Sequence, residues 1–276
     1  MSTWFITGCS TGLGRALAQA VLERGENAAI TARDARGLED LAKAYPGAAL
    51  ALTLDVTDDE QVAAAVRQAE DVFGGIDVLV NNAGYGYRAA VEEGDPADVQ
   101  RLFATNFFGP VALIKAALPG MRARRSGAIV NMSSIGALRR PPGSGYYAAS
   151  KAALEAMTGS LRTEAEPLGI KVIAVEPGAF RTDFSGRSLT QSATVIDDYA
   201  GTAGLRRKEN DTVDGTQPGD PARAARAIIE VVAAPHPPSL LLLGRDALAT
   251  ATAVLDAQRA EVDEWRELTT STDLEA

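Results

Sequence analysis

Short apolar blocks alternate along this chain with stretches of helical periodicity, beginning at the first residues. Thr3–Thr7 reads as a brief strand, after which Leu13, Ala16, Leu17, Ala20 and Val21 recur at the spacing of one helix face. Asn27–Ala32 and Ala49–Leu54 read as the second and third strands. A helix starting at Asp58, a suitable N-cap, turns Val62, Val66, Ala69 and Phe73 inward. Ile76–Val80 is nearly all apolar, as a strand covered on both faces should be. A helix is expected from Pro96 to about Met121, interrupted at Gly109-Pro110. Ala128–Met132 and Lys171–Val175 are the fifth and sixth strands, and between them a helix from Tyr147 buries Leu154, Met157, Leu161 and Leu168. Pro221–Val232 is a helix with Ala225, Ile228 and Val232 inside, and Ser239–Leu243 is a seventh strand.

Strands alternating with helices predict an α/β fold with right-handed crossovers. The expectation is a single Rossmann-type, doubly wound parallel sheet of about seven strands, with helices on both faces, over residues 1–245. The tail from Asp246 carries Leu248, Leu255, Val262 and Trp265 at helical spacing, which suggests a helical extension (246–276) packed on the same domain or at an interface. Asp183–Pro218 breaks the rhythm, being rich in Ser, Thr, Gly and Asp, and a loop of that length is usually a lid or a mobile segment.

Composition narrows the function. A net charge of −9 and a pI near 4.8 argue against a nucleic-acid surface. No run of about 18 apolar residues is present, so no membrane span is expected. The single cysteine, Cys9, excludes an intrachain disulfide and suits a reducing compartment. The amino terminus enters a strand directly with no basic leader, and a cytoplasmic location is expected. One Cys and one His, His236 in a Pro-rich loop, cannot make an ordinary metal site.

The chemistry-bearing residues follow strands. Thr7-Gly8-Cys9-Ser10-Thr11-Gly12-Leu13-Gly14 lies between a strand and a helix N-terminus, where free N–H groups and close backbone approach suit a pyrophosphate. After the second strand, the place where a dinucleotide fold often puts a ribose-holding acid falls on Ala32, and Arg33 follows it. A neutral residue and then a guanidinium suit a 2′-phosphate, so NADP is expected and NAD is the runner-up. Arg15 adds charge more weakly. Asn81-Asn82-Ala83-Gly84 again puts small residues at a strand's carboxyl end. Pro110 has no N–H, so the Asn106 carbonyl is expected to be free for a water on a proton path to Lys151. Ser134 follows the fifth strand, and Tyr147 and Lys151 share a helix face four residues apart. An ammonium beside a phenol favours the phenolate and lowers its pKa from about 10.

With these residues in view, the chain resembles the short-chain dehydrogenase/reductase family over nearly all of Thr3–Leu243. The likeness rests on Gly8, Gly12 and Gly14 of the cofactor turn, on Asn82-Ala83-Gly84, and on Ser134, Tyr147 and Lys151 in order and at family spacing. Asn106 matches the fourth catalytic position, Asp55-Val56 the pair beside the adenine, and Pro177-Gly178 with Thr182 the segment at the nicotinamide carboxamide. The resemblance implies reversible hydride transfer between NAD(P) and an alcohol or carbonyl, with Tyr147 as acid–base, Lys151 lowering its pKa and binding the ribose, and Ser134 holding the substrate oxygen. It also implies a small-molecule substrate and a homodimer or homotetramer, with Tyr147–Leu168 a candidate interface. Ile135–Arg140, Tyr146, Phe180, Phe184 and Tyr87 are candidate pocket residues, and their types suggest a hydrophobic ketone or secondary alcohol. A nucleotide sensor without catalysis and an epimerase or dehydratase are the competing classes.

Overall fold

A computed structural model describes residues 1–184, 186, 188–213 and 215–274. Seven parallel strands form the central sheet: β1 (Thr3–Ile6), β2 (Asn27–Ala32), β3 (Ala49–Thr53), β4 (Val78–Asn81), β6 (Gly127–Met132), β7 (Ile170–Pro177) and β9 (Leu240–Leu243). Two short strands, β5 (Gly86–Arg88) and β8 (Leu189–Gln191), pair in parallel beside it. The helices are α1 (Gly12–Glu23), α2 (Glu39–Ala44), α3 (Asp59–Phe73), α4 (Pro96–Phe103), α5 (Gly109–Arg124), α6 (Ile135–Arg139), α7 (Gly145–Ala165), α8 (Ala203–Val213), α9 (Pro221–Ala233), α10 (Arg245–Glu264) and α11 (Arg266–Thr270).

The sheet order is β3-β2-β1-β4-β6-β7-β9. The chain winds outward from β1 to β3, returns, and winds the other way from β4, so direction reverses between β1 and β4. Open α/β sheets bind ligands at that switch, outside the strands' carboxyl ends. The strands are apolar throughout because alternate residues enter different cores. Ile6, Ile30, Val80 and Val130 pack under α1 and α9 with Leu17, Val21, Ile228 and Val232. Phe5, Ala29, Leu79 and Ile129 pack against α3, α5 and α7 with Val66, Leu113, Met121 and Leu161. Asp58 caps α3, accepting from the N–H groups of Glu60 and Gln61 at 3.0 Å each.

Three expectations are corrected. The helix begun at Pro96 does not break at Gly109-Pro110; it widens into a π turn over Ala104–Phe108, where Gly109 N donates to the Ala104 carbonyl five residues back. Pro110 cannot make the bond an α-turn requires, and Gly109 lacks the Cβ that would lie 2.8 Å from Val56 Cγ2. The combined run Pro96–Arg124 is long and apolar enough to cross a membrane by length and composition, yet Leu102, Leu113, Ala117 and Met121 are buried inside the domain.

The segment 183–218 is structured, holding β8 and α8. Glu93 fastens it. Its carboxylate accepts from Ile196 N at 2.9 Å and from Arg207 at 2.5 Å, while its carbonyl accepts from Ser192 Oγ at 2.5 Å. In the tail, helical spacing is real but the apolar stripe faces outward. Leu248, Leu255, Val262 and Trp265 are each more than half exposed, and Ala247 and Ala251 make the buried face instead. These small residues let α10 approach α6 and β9.

One buried polar chain ties the site-bearing elements together. Asn81 Nδ2 donates to Asn131 Oδ1 at 2.7 Å, and Asn131 Nδ2 donates to Thr158 Oγ1 at 2.8 Å, linking β4, β6 and α7. Stranding a buried donor costs about 1–3 kcal/mol. Asn131→Ala is therefore expected to lower unfolding free energy by about 2 kcal/mol or more, as measured by denaturant titration.

Candidate active site

The glycine turn is shaped by strand and helix ends on both sides. Gly8 and Gly12 have φ of +71° and +64°, where a side chain is strained. A Cβ on Gly14 would lie 2.5 Å from the Gly8 carbonyl oxygen. Thr7 locks the turn to the end of β4: its Oγ1 accepts from the N–H groups of Asn82 and Ala83, each at 2.9 Å. Asn82 Nδ2 returns a bond to the Thr7 carbonyl at 2.8 Å. Thr11, the N-cap of α1, makes no side-chain cap, so the helix's first N–H groups are left for a ligand. Cys9 is fully buried, and burial pushes its thiol up to about 12.

A cavity of about 1240 Å³ opens above these ends. Gly8, Ser10, Thr11, Gly12 and Leu13 line it, together with Arg33, Asp55, Val56, Asn82, Ala83 and Gly84. Ser134, Tyr147, Lys151, Pro177, Gly178 and Thr182 line its other part. A Cβ on Gly12 would sit 3.4 Å from Thr182 Cβ, so the two signatures face each other closely. Gly14 and Asn106 stand behind the wall. Asn106 is fully buried, its Oδ1 accepting from Tyr85 N at 3.1 Å and its Nδ2 donating to the Tyr85 carbonyl and Ser150 Oγ at 3.0 and 3.1 Å. Gly84 separates it from the cavity; a Cβ there would come 3.1 Å from Asn106 Oδ1 and 3.3 Å from Lys151 Nζ. The donor set, the missing side chains and the space fit a dinucleotide.

At the end of β2, Arg33 is exposed at the cavity. The neighbouring acid is occupied: Asp34 caps the turn Ala35–Leu38 and accepts from Arg36, whose hydrogen bond holds the Asp34 carboxyl below its usual range. Arg15 pairs with Asp40 and donates to the Gly37 carbonyl at 3.0 Å, which turns it away from the role of added charge.

At the other end, Tyr147 and Lys151 are buried on the first turns of α7. Lys151 Nζ donates to the Met132 carbonyl at 2.7 Å. Burial lowers its pKa from 10.5 to about 8, opposed by the Glu155 charge. Burial likewise raises the Tyr147 phenol; a hydrogen bond with Ser134 and the Arg88 charge pull the other way. The expected lowering by Lys151 is thus overridden in the chain alone, because the ammonium is turned to a backbone carbonyl and desolvation dominates. Ser134 also caps α6, its Oγ accepting from Gly136 N at 3.0 Å.

Of the candidate pocket residues, Ile135, Gly136, Arg139, Phe180 and Phe184 line the cavity, whereas Tyr87, Ala137, Leu138, Arg140 and Tyr146 do not, and other lining residues were missed. Tyr87 and Tyr146 pack against each other, ring centroids 6.2 Å apart, with Tyr87 OH accepting from Asp95 N at 3.1 Å; neither lines the cavity. Arg88, on the same short strand, does, donating to Ser144 Oγ at 2.6 Å. Gln217, also buried in the wall, lies in a stretch without periodicity, so no pattern marks it.

A doubly wound sheet with this cavity at its switch point defines a dinucleotide-binding α/β protein. Residues 2–193 match the short chain dehydrogenase family, and the chain belongs to that family. It is similar to oxidoreductase BOA17 of Botryotinia fuckeliana, 37% identical over 266 residues, covering 96% of this chain and 97% of that one. It is also similar to the 3-ketodihydrosphingosine reductase of Bacteroides thetaiotaomicron, 37% identical over 84% of each chain. A crystal structure of a short-chain dehydrogenase from Streptomyces avermitilis, 42% identical, superposes with a TM-score of 0.92 over 99% of this chain and 100% of that chain.

The Lys151 shift has a consequence for stability. Between about pH 8 and 10.5 the unfolded chain keeps a proton that the folded chain has released, so this group makes stability rise with pH. Lys151→Met is expected to remove that rise and to be relatively more stable near pH 7 than at pH 10, as read from denaturation midpoints across that range.

Proposed function

We propose that this oxidoreductase interconverts a carbonyl and a secondary alcohol using NADP, with Tyr147 as the acid–base. The observation that carries the reading is the burial of Tyr147 and Lys151 on one helix face, with Ser134 at the end of β6, in the cavity that also contains the glycine turn. The cofactor, when bound, supplies or accepts the hydride. Ser10, Thr11 and Leu13, with the open N-terminus of α1, hold its phosphates. Asp55 and Val56 border the adenine, and Pro177, Gly178 and Thr182 the carboxamide. Arg33 meets the 2′-phosphate; Asp34, the acid that would favour a bare ribose, is committed to Arg36.

In the reducing direction, the Ser134 hydroxyl donates to the substrate oxygen and orients the carbonyl. Tyr147 gives its phenolic proton to that oxygen as charge develops there. The raised pKa of the buried phenol keeps it protonated until substrate and cofactor are in place. Lys151 stabilises the phenolate left behind and holds ribose hydroxyls. Asn106 fixes Gly84 and, through a carbonyl that Pro110 cannot engage, holds a water that returns a proton toward Lys151.

The substrate is an apolar carbonyl compound. Ile135, Phe180 and Phe184 supply apolar walls beside Tyr147, with the Phe184 and Tyr147 ring centroids 5.9 Å apart. The relative named for 3-ketodihydrosphingosine, a long-chain ketone, is consistent with that chemistry. A panel of ketones and secondary alcohols, followed at the nicotinamide absorbance, tests the reading.

Tyr147→Phe is expected to lower turnover by ~10²–10⁴ while dinucleotide affinity stays within a few-fold, measured by steady-state kinetics and calorimetry. Full turnover in that variant would falsify the assignment. Arg33→Ala should weaken NADP about tenfold more than NAD in paired titrations, the size of one charge-assisted hydrogen bond; equal losses would point to a ribose contact of another kind.

A further inference from the structure

Behind Lys151, away from the cavity, lies a second set of titratable groups that the reaction above does not use. Glu155 follows Lys151 by one helical turn on α7. Its carboxylate accepts from Ser133 Oγ, just past the end of β6. Glu176, near the end of β7, is 1% exposed, and its Oε2 is buried with no hydrogen-bond partner. The main chain keeps these residues together: Ser133 N donates to the Val175 carbonyl at 2.7 Å, next to Glu176. Glu155 thus stands close enough to Glu176 to raise that carboxyl's pKa. Two carboxyls cannot share a hydrogen bond unless one carries a proton, and two adjacent buried carboxylates would repel without a cation between them.

We propose that Glu155 and Glu176 form an acid dyad that holds one proton and one negative charge at neutral pH, and that this buried anion keeps Lys151 protonated behind Tyr147. The proposal rests on the oxidoreductase reading for what Lys151 does, but not for the dyad itself. Glu176 is the protonated partner and donates to Glu155; Glu155 carries the charge and is steadied by Ser133. Both are positioning residues, acting on the reaction through Lys151.

The surroundings favour this arrangement. Burial, and then the hydrogen bond and charge of Glu155, push Glu176 well above the carboxylate range. Glu155 is also the charged group that opposes the desolvation of Lys151. Around the pair, Arg162 of α7 is spent on the carbonyls of Val172, Pro237 and Pro238, and Asp246 of α10 accepts from Ala179 N at 2.7 Å. Arg139 of α6 is exposed, and Arg88 of β5 acts on Tyr147.

Three measurements test the proposal on the full chain. At pH 7 the infrared spectrum should contain the carbonyl stretch of one protonated carboxyl, absent from Glu176→Gln; no such band in the unaltered chain overturns the dyad without need of any variant. A folded state that keeps a proton the unfolded chain has lost loses stability as pH rises through neutrality, so Glu176→Gln should flatten the fall in melting temperature over that range. An unchanged slope counts against the dyad. In the pH profile of kcat/KM, measured with NADPH and the best ketone of the panel, Glu155→Gln should move the limb that reports Lys151 down by about one pH unit, the effect of removing a nearby opposite charge. Glu176→Gln, which still donates to Glu155, should hold that limb in place. A limb unmoved in Glu155→Gln overturns the link to Lys151. Absence of turnover in the unaltered chain counts against the oxidoreductase reading alone, because the infrared band and the melting slope judge the dyad independently.

Discussion

A lysine ammonium almost out of reach of water must be held by something, and here the Met132 carbonyl holds it at 2.7 Å. That one bond relates α7 to the end of β6, and so sets where Tyr147 stands relative to Ser134. It works only if the strand ends are fixed, which is the task of the Asn81–Asn131–Thr158 chain below it. Desolvation is the cost of the arrangement, visible in both Lys151 and Tyr147. The chain alone therefore keeps its phenol protonated.

The same logic organises the opposite end of the cavity. There the groups are backbone N–H donors rather than side chains, and what matters is the absence of atoms. Gly8, Gly12 and Gly14 leave space against Ala83, Thr182 and the Gly8 carbonyl that any larger residue would fill. Thr7 converts this space into a defined shape by bonding to both Asn82 and Ala83. Two ends of one cavity are thus built by different means, rigid absence on one side and buried charge on the other.

Much of this was legible in the residues. The parallel, doubly wound sheet of about seven strands follows from apolar blocks alternating with amphipathic stretches, because each strand feeds two cores and must be apolar on both faces; the order of the strands does not. The residues from Gly8 to Thr182 sit together because each follows a parallel strand, and parallel strands end on one edge. Direction in space was less legible. Leu248, Leu255 and Val262 have the spacing of a packed face, yet periodicity cannot tell which side of a helix meets the domain, and Ala247 with Ala251 took that role. Tyr87 and Arg88 are neighbours, and only the pairing of β5 with β8 decides which one meets the cavity. The π turn was seen as an interruption, since a missing N–H can be read from Pro110, while the way the backbone absorbs it cannot. The sign of the Tyr147 shift also escaped, because spacing reports a nearby cation and not the depth at which it is buried.

The attachment of 183–218 separates two jobs that many enzymes entangle. This roof is joined to the body through Glu93, Ser192 and Arg207 and through the pairing of β8 with β5, which lies outside the central sheet. Sequence drift in β8 or α8 can recut the cavity wall at Thr190 and Arg206 while the floor, with Tyr147 and the glycine turn, keeps its geometry. The shape of that wall is thereby free to diversify, provided the Glu93 joint and the β5–β8 pairing are spared.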